Sequence, residues 1–215
     1  MAATKYTARA SIGRDYRVKS IFICAFLMVF AIVSFVLIIY HIINLKFGFS
    51  LGYLLGFILI LILVLFKMNV TFSSKIAADR KNLFLTTWEN RLLPYKVSCT
   101  VPFIREFISD KISTEKIKIS EIKDIYIGTK SYISRLTSDD SFTDTLNNLI
   151  PKEDIKKISK SDLLCIYDTS SCYHIMNVEN FDIRALCKVI TNILRVNEKA
   201  EFHAGSKKYK LYVRK

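Results

Sequence analysis

The chain has 215 residues, 51% of them hydrophobic and 24% charged, and its 32 Lys and Arg against 19 Asp and Glu leave a net charge of +13. That excess asks for an anionic partner. With no zinc-finger spacing, recognition-helix signature or aromatic RNA-binding motif in the sequence, lipid headgroups fit better than nucleic acid.

Taken in order, residues 1–20 form a basic N-terminus in which Lys5, Arg9, Arg14, Arg17 and Lys19 face Asp15 alone. Two charge-free apolar runs follow, 25 residues from Ile21 to Leu45 and 20 from Phe47 to Phe66, parted only by Lys46. About 20 apolar residues in a helix cross the hydrocarbon core of a bilayer. The expected element is therefore a transmembrane helical hairpin over 21–66, bending near Asn44-Leu45-Lys46-Phe47-Gly48. Ile21–Leu45 is too long for a signal-peptide core and lacks a small-residue cleavage site. Lys67, Lys75, Arg80 and Lys81 flank the second run, so the Lys and Arg asymmetry predicts a multi-pass protein of the inner (cytoplasmic) membrane with both termini cytoplasmic.

Within the second run Gly48, Gly52 and Gly56 recur every four residues and share one helix face. Such a face admits close helix packing, either within the hairpin, the favoured reading, or between copies of the chain in a homo-oligomer.

Residues 67–200 read as one cytoplasmic domain of α+β class. Met68–Lys81 is a polar lead-out. Asn82–Thr87 and Pro94–Val101 are rich in β-formers, with a turn over Trp88–Arg91 around Asn90, while Phe103–Ile108 suits either a helical turn or a strand. Ile117–Ile122 and Ile122–Ile127 continue as strand, and Ser131–Leu136 after Gly128-Thr-Lys is expected to complete a hairpin. Thr137–Asp162 reads as an inserted loop with one or two short helices and a lysine cluster, Lys152, Lys156, Lys157 and Lys160. Leu163–Tyr167 and Cys172–Val178 make a further hairpin about Asp168–Ser171. Phe181–Leu194 carries a single apolar stripe, Ile183, Leu186, Cys187, Ile190, Ile193 and Leu194, and predicts an amphipathic helix with Asn180 as N-cap. Residues 201–215 form a basic tail, in which Lys207, Lys208, Lys210, Arg214 and Lys215 alternate with tyrosines.

Antiparallel hairpins, the Ile-Ser-Glu-Ile-Lys-Asp-Ile-Tyr-Ile segment at 119–127, a strand pair ending at Val178 and one closing helix resemble the bacterial pleckstrin-homology-like domains, whose membrane members place a two-helix hairpin ahead of the domain. The resemblance implies a partly open β-barrel of two orthogonal antiparallel sheets closed by the C-terminal amphipathic helix. It also implies a binding or scaffold role, not an enzymatic one. Basic residues are not clustered in the first hairpin, where Lys81, Arg91 and Lys96 are spread apart, so only non-specific contact with anionic headgroups is expected.

Chemistry has little footing in the sequence. Cys172 and His174 share a strand face but no further ligands follow at metal-site spacing. Asp139, Asp140 and Asp144 lack the Gly and terminal Glu of a calcium loop, and there is no Gly-rich phosphate cradle or GxSxG. Five cysteines form no CxxC pair; Cys24 lies in the first apolar run, and Cys99, Cys165, Cys172 and Cys187 read as buried small side chains in a reducing compartment. No catalytic residue, metal or cofactor is expected. The expected role is a membrane-anchored module that recruits or positions a membrane or cytoplasmic protein partner, as an accessory subunit of a membrane complex or as an immunity or envelope-stress factor. Its contact residues are the 152–160 lysines and the tail cations. The rival is a ligand-gated, two-helix β-barrel effector that oligomerises and disrupts the membrane in antiviral defence.

Overall fold

The structure, a computed structural model, describes residues 7–88, 112–137, 140–149, 155–156 and 158–213. They fall into two units, one built on the two apolar helices and the other on the strands and remaining helices, and each is taken by itself.

The helical unit contains α1 (Arg14–Ile43) and α2 (Phe47–Ser73), both long and apolar enough to cross a membrane. Most of their large side chains are exposed, Phe22, Phe26, Ile32, Phe49 and Leu55 among them, which is the surface a lipid environment requires. The turn falls at Asn44-Leu45, as the sequence predicts. There Lys46 N–H donates to the His41 carbonyl at 2.9 Å, the Asn44 side chain donates to the Tyr40 carbonyl at 2.8 Å, and Leu45 takes the left-handed conformation with φ 55°. Polar ties hold the open end of the hairpin, where Lys67 Nζ meets the Tyr16 hydroxyl at 2.8 Å and Thr71 Oγ1 meets Ser20 Oγ at 3.2 Å. Towards the turn the contacts are aromatic: Phe35 lies against Phe57, and His41 stacks on both Phe49 and Tyr53. The helices do not meet on the glycine face. A methyl group built on Gly48, Gly52 or Gly56 would touch nothing within 4 Å, while the Phe35–Phe57 contact and the His41 stack join the two helices.

The strand-rich unit holds two four-stranded sheets. In the first, β1 (Ala8–Ser11), β2 (Lys75–Ala78), β3 (Asn82–Trp88) and β4 (Ile112–Lys118) lie in sequence order, all antiparallel. A short 3-10 turn at Ile119–Glu121 carries the chain into the second sheet, ordered β7-β6-β5-β8, from β5 (Ile122–Gly128), β6 (Leu163–Asp168), β7 (Tyr173–Asn177) and β8 (Glu201–Ala204). The two sheets are mostly antiparallel, as expected, but they share no strand and do not close into a barrel, and β8 runs parallel to β5 where antiparallel pairing is expected.

Two segments expected to be peripheral belong to this body. Ala8–Ser11, inside the supposed basic N-terminus, pairs with β2 (Ala8↔Ala78, Ser11↔Lys75), so the helical hairpin is inserted in the chain between neighbouring strands. The supposed tail supplies β8 and then α6 (Lys207–Lys210), whose Tyr209 is 1% exposed and donates its hydroxyl to Asp162 at 2.8 Å, beside the Lys208–Asp162 ion pair at 2.5 Å.

α5 (Ile183–Val196) packs on β1 and β2. Small side chains at Ala8, Ala10 and Ala78 let the helix come close, and Leu186, Val189, Ile190 and Ile193 bury against them with Ile12 and Ile76. Its N-cap is Asp182, which accepts from Ala185 N–H at 3.0 Å; the expected cap, Asn180, instead lends its carbonyl to Gly13 N–H at 2.7 Å. Ser131–Leu136 is not a strand. It lies in α3 (Lys130–Thr137), where Tyr132 rests over Gly128 and Gly205 so closely that a Cβ at either glycine would sit 2.8 Å from its ring.

With α4 (Asp140–Leu149), α3 covers one face of the second sheet. Ile133, Phe142, Leu146 and Ile158 bury there against Tyr126, Cys165 and Ile175. The described part of 137–162 thus holds a short helix, as expected, and supplies Phe142, Leu146 and Ile158 to the core. The expectations for Trp88–Arg91 beyond the end of β3, for Pro94–Val101 and for Phe103–Ile108 lie outside the described residues.

A polar tie joins the sheets. His174 on β7 presents Nδ1 to Glu115 on β4 at 2.6 Å and Nε2 to Asp168 at 3.2 Å. Burial pushes the Asp168 carboxyl up, but the backbone N–H groups of Cys172 and Ser170 and the His174 ring outweigh it and hold it below the usual carboxylate range. A carboxylate depressed on folding stabilises the native state above its unfolded value of about 3.9, and that contribution is lost as pH falls through the folded value. Urea midpoints should therefore drop as pH is lowered through about 4, and Asp168→Asn should flatten this dependence. An unchanged pH profile in the variant would reject the assignment.

Candidate anion-binding cleft

Four segments of the strand-rich unit converge on an open hollow of about 810 Å³. The β2–β3 turn brings Arg80 and Lys81, β4 brings Lys116 and Lys118, the 3-10 turn brings Ile119 and Ser120, and the end of α5 brings Arg195 and Lys199. Six lining side chains are thus cationic, and Glu198 is the one acidic residue lining it among those described.

Local folding explains the convergence. In β4, period-two alternation buries Ile117 and turns Lys116 and Lys118 outward, and Lys118 lies directly opposite Asn82 on β3. The turn before β3 is held by Asp79, whose carboxylate accepts from the backbone N–H groups of Lys81 and Asn82 at 2.6 Å each. Burial would raise the Asp79 carboxyl, but these N–H donors, the Asn82 side chain and the Lys116 charge hold it below its ordinary value, and the carboxylate is committed to the turn. On the opposite wall Asn197 ends α5 by donating to the carbonyls of Ile119 and Ile122, both at 2.8 Å, which fixes Arg195 and Lys199 against the 3-10 turn.

Little of the charge is neutralised internally. Lys118 pairs with Glu121 at 2.7 Å and Arg195 donates to the Asn192 side chain at 3.2 Å. Arg80, Lys81, Lys116 and Lys199 make no side-chain hydrogen bond or ion pair among the described residues. The electrostatic preference is for a multiply charged anion, held by several weak contacts of about 0.2–1 kcal/mol each at this exposure.

The residues singled out from the sequence lie elsewhere. Lys156 and Lys160 are exposed near the α4 end of the core, while Lys152 and Lys157 are outside the described residues. Lys207 and Lys210 are exposed on α6 and Lys208 is paired with Asp162; Arg214 and Lys215 are outside the described residues. Cys165 and Cys187 are buried, and burial pushes the Cys187 thiol up to about 11. Cys172, expected to be buried, is exposed, because it precedes β7 in the Asp168–Ser171 turn region. Its neighbour His174 is engaged by two carboxylates and does not join it. The cleft cations show no cluster in the sequence because they come from three separate segments, at 80–81, 116–118 and 195–199. The usable signal was the alternation Lys116-Ile117-Lys118, with charge on one face of a strand.

No protein-family model matches the chain, and none of the curated proteins or solved structures compared with it is a match.

Proposed function

We propose that the chain is a membrane-anchored binding module with no catalytic role, in which α1 and α2 span the inner membrane and the strand-rich unit holds an acidic segment of a protein partner in the basic cleft. The observation that carries this reading is the set of six cations lining one hollow, four of them without a side-chain hydrogen bond or ion pair among the described residues. The basic flanks of the apolar helices support a cytoplasmic placement of both termini, and the pleckstrin-homology-like resemblance supports a scaffold role. Anionic headgroups act as a second, non-specific attraction.

The test is crosslinking in native membranes. Lys116→Glu combined with Lys199→Glu should abolish the crosslinked partner while the protein stays in the carbonate-resistant membrane fraction; Lys207→Glu with Lys210→Glu should leave the partner in place. Retention of the partner by the cleft variant would reject the reading.

The size of the hollow favours one alternative, the ligand-gated effector, since small-molecule sites span roughly 300–1,000 Å³. Nucleotide added to vesicles holding the full chain separates the two: a collapse of membrane potential supports the effector, and an intact potential supports the scaffold.

A further inference from the structure

A second cluster lies away from the cleft, at the β8 edge of the second sheet. Because β8 runs parallel to β5 with Asp124 opposite Glu201 and Tyr126 opposite His203, alternation puts all four side chains on one sheet face. There the His203 Nε2 stands 3.5 Å from Asp124 Oδ1 and 3.7 Å from Glu201 Oε2, and one ligand atom from each residue lies within 4.8 Å of the others.

Three features set this group apart from an ordinary surface ion pair. Two carboxylates converge on a single ring nitrogen, which carries at most one proton and can donate to only one of them. Neither carboxylate lies within ion-pair distance of a Lys or Arg among the described residues, although the chain has 32 such cations against 19 acids. Finally, one of the three groups is held in place: the His203 ring stacks on Tyr126 with centroids 4.9 Å apart and planes 16° from parallel. Outer contacts of this kind orient the ligands of protein metal sites.

We propose that Asp124, Glu201 and His203 bind a divalent transition-metal ion of the zinc class. One imidazole and two carboxylates form a mixed nitrogen–oxygen set suited to such ions and too poor in oxygen for calcium. Ligand atoms around tetrahedral zinc, with bonds of about 2.0–2.2 Å, lie about 3.3–3.5 Å apart. The two spacings from His203, 3.5 and 3.7 Å, are already close to this, the three ligand atoms all lie within 4.8 Å of one another, and Glu201, 71% exposed, has room to move inward. The adjoining hollow of about 250 Å³, lined in part by Phe202 and Glu201, leaves remaining coordination positions to water or a partner's ligand. The inference does not depend on the anion-binding cleft.

The test uses the full chain in detergent after metal stripping, titrated with Zn²⁺ by calorimetry and with Co²⁺ by visible absorption. One equivalent should bind in the micromolar range, with Co²⁺ bands lacking thiolate charge transfer. His203→Gln and Asp124→Asn should each weaken binding by about tenfold or more, and Cys172→Ser should leave it unchanged. A readout on the unmodified protein guards against a misfolded variant: Zn²⁺ should protect His203, but not His174, from diethylpyrocarbonate. Absence of stoichiometric binding, loss of binding in Cys172→Ser, or unprotected His203 would each overturn the proposal.

Discussion

A fragment that begins at Lys67 is expected not to fold, although it contains seven of the eight strands described. It lacks β1, which forms the edge of the first sheet and the floor under α5. Ile12 is wholly buried, Ala8 and Ala10 nearly so, and the same segment receives hydrogen bonds from Asp182 N–H to the Ser11 carbonyl and from the Asn192 side chain to Thr7. Loss of the Ile12 side chain alone costs about 2–5 kcal/mol, against a total stability of about 5–15 kcal/mol for a domain. Removing the whole strand also exposes the apolar face of α5. A chain joining 7–13 to 74–215 through a short Gly-Ser linker should instead unfold cooperatively in urea. Equal cooperativity and midpoint in the two fragments would show that β1 contributes little.

Tyr209→Ala is expected to destabilise the protein by about 3–5 kcal/mol, the cost of emptying a large aromatic site, while the flanking Lys207→Ala and Lys210→Ala should stay within about 0.5 kcal/mol. The ring is almost fully buried, and the Cys187 thiol lies 3.8 Å from the Tyr209 carbonyl. Its hydroxyl is tied to Asp162; burial first, then this contact, push its pKa well above the ordinary tyrosine value. Tyr209→Phe removes only that bond and leaves the Asp162 carboxylate with Lys208, so the expected loss is about 1–2 kcal/mol. Chemical denaturation of the full chain in detergent separates the variants. If Tyr209→Ala behaved like its lysine neighbours, the anchoring role of Tyr209 would be rejected.

What could be read in advance follows the physics of each signal. The apolar runs, the turn at Asn44-Leu45, the strands at 82–88, 122–128, 163–168 and 173–177 and the stripe of α5 all carry a local periodicity or a turn residue, and all are found. The failures are cases in which distant packing overrides local preference. Ser131–Leu136 has the β-branched and aromatic residues of a strand, yet close contact of Tyr132 with Gly128 and Gly205 is made from a helix. Ala8–Ser11 and Glu201–Ala204 are four residues each, too short to show a period, and they become strands only because β2 and β5 offer them an edge.

The two candidate sites were illegible for the same reason. Clusters of like charge within one stretch, such as Lys152–Lys160 or Lys207–Lys215, drew the sequence reading. The cleft is assembled instead from Arg80, Lys116 and Lys199, which share no stretch. Asp124 and His203 are 79 positions apart, and a parallel strand pair is what aligns them. Parallel pairing leaves no hairpin turn in the sequence to announce it.

The placement of the apolar hairpin between β1 and β2 also dictates a schedule for biosynthesis. β1 precedes both apolar helices and its partner β2 follows them, so it has no neighbour until both have been made, and the tie from Thr7 beside it to Asn192 bridges 185 positions. The β1–β2 pairing has to wait for residues 75–78 and the tie to Asn192 for residue 192, so a hairpin that enters lipid as it is made would do so before the fold around it is complete. A chain whose spans fail to insert would meet its late strands with an apolar hairpin still exposed, and quality-control proteases would act on it before any binding surface exists.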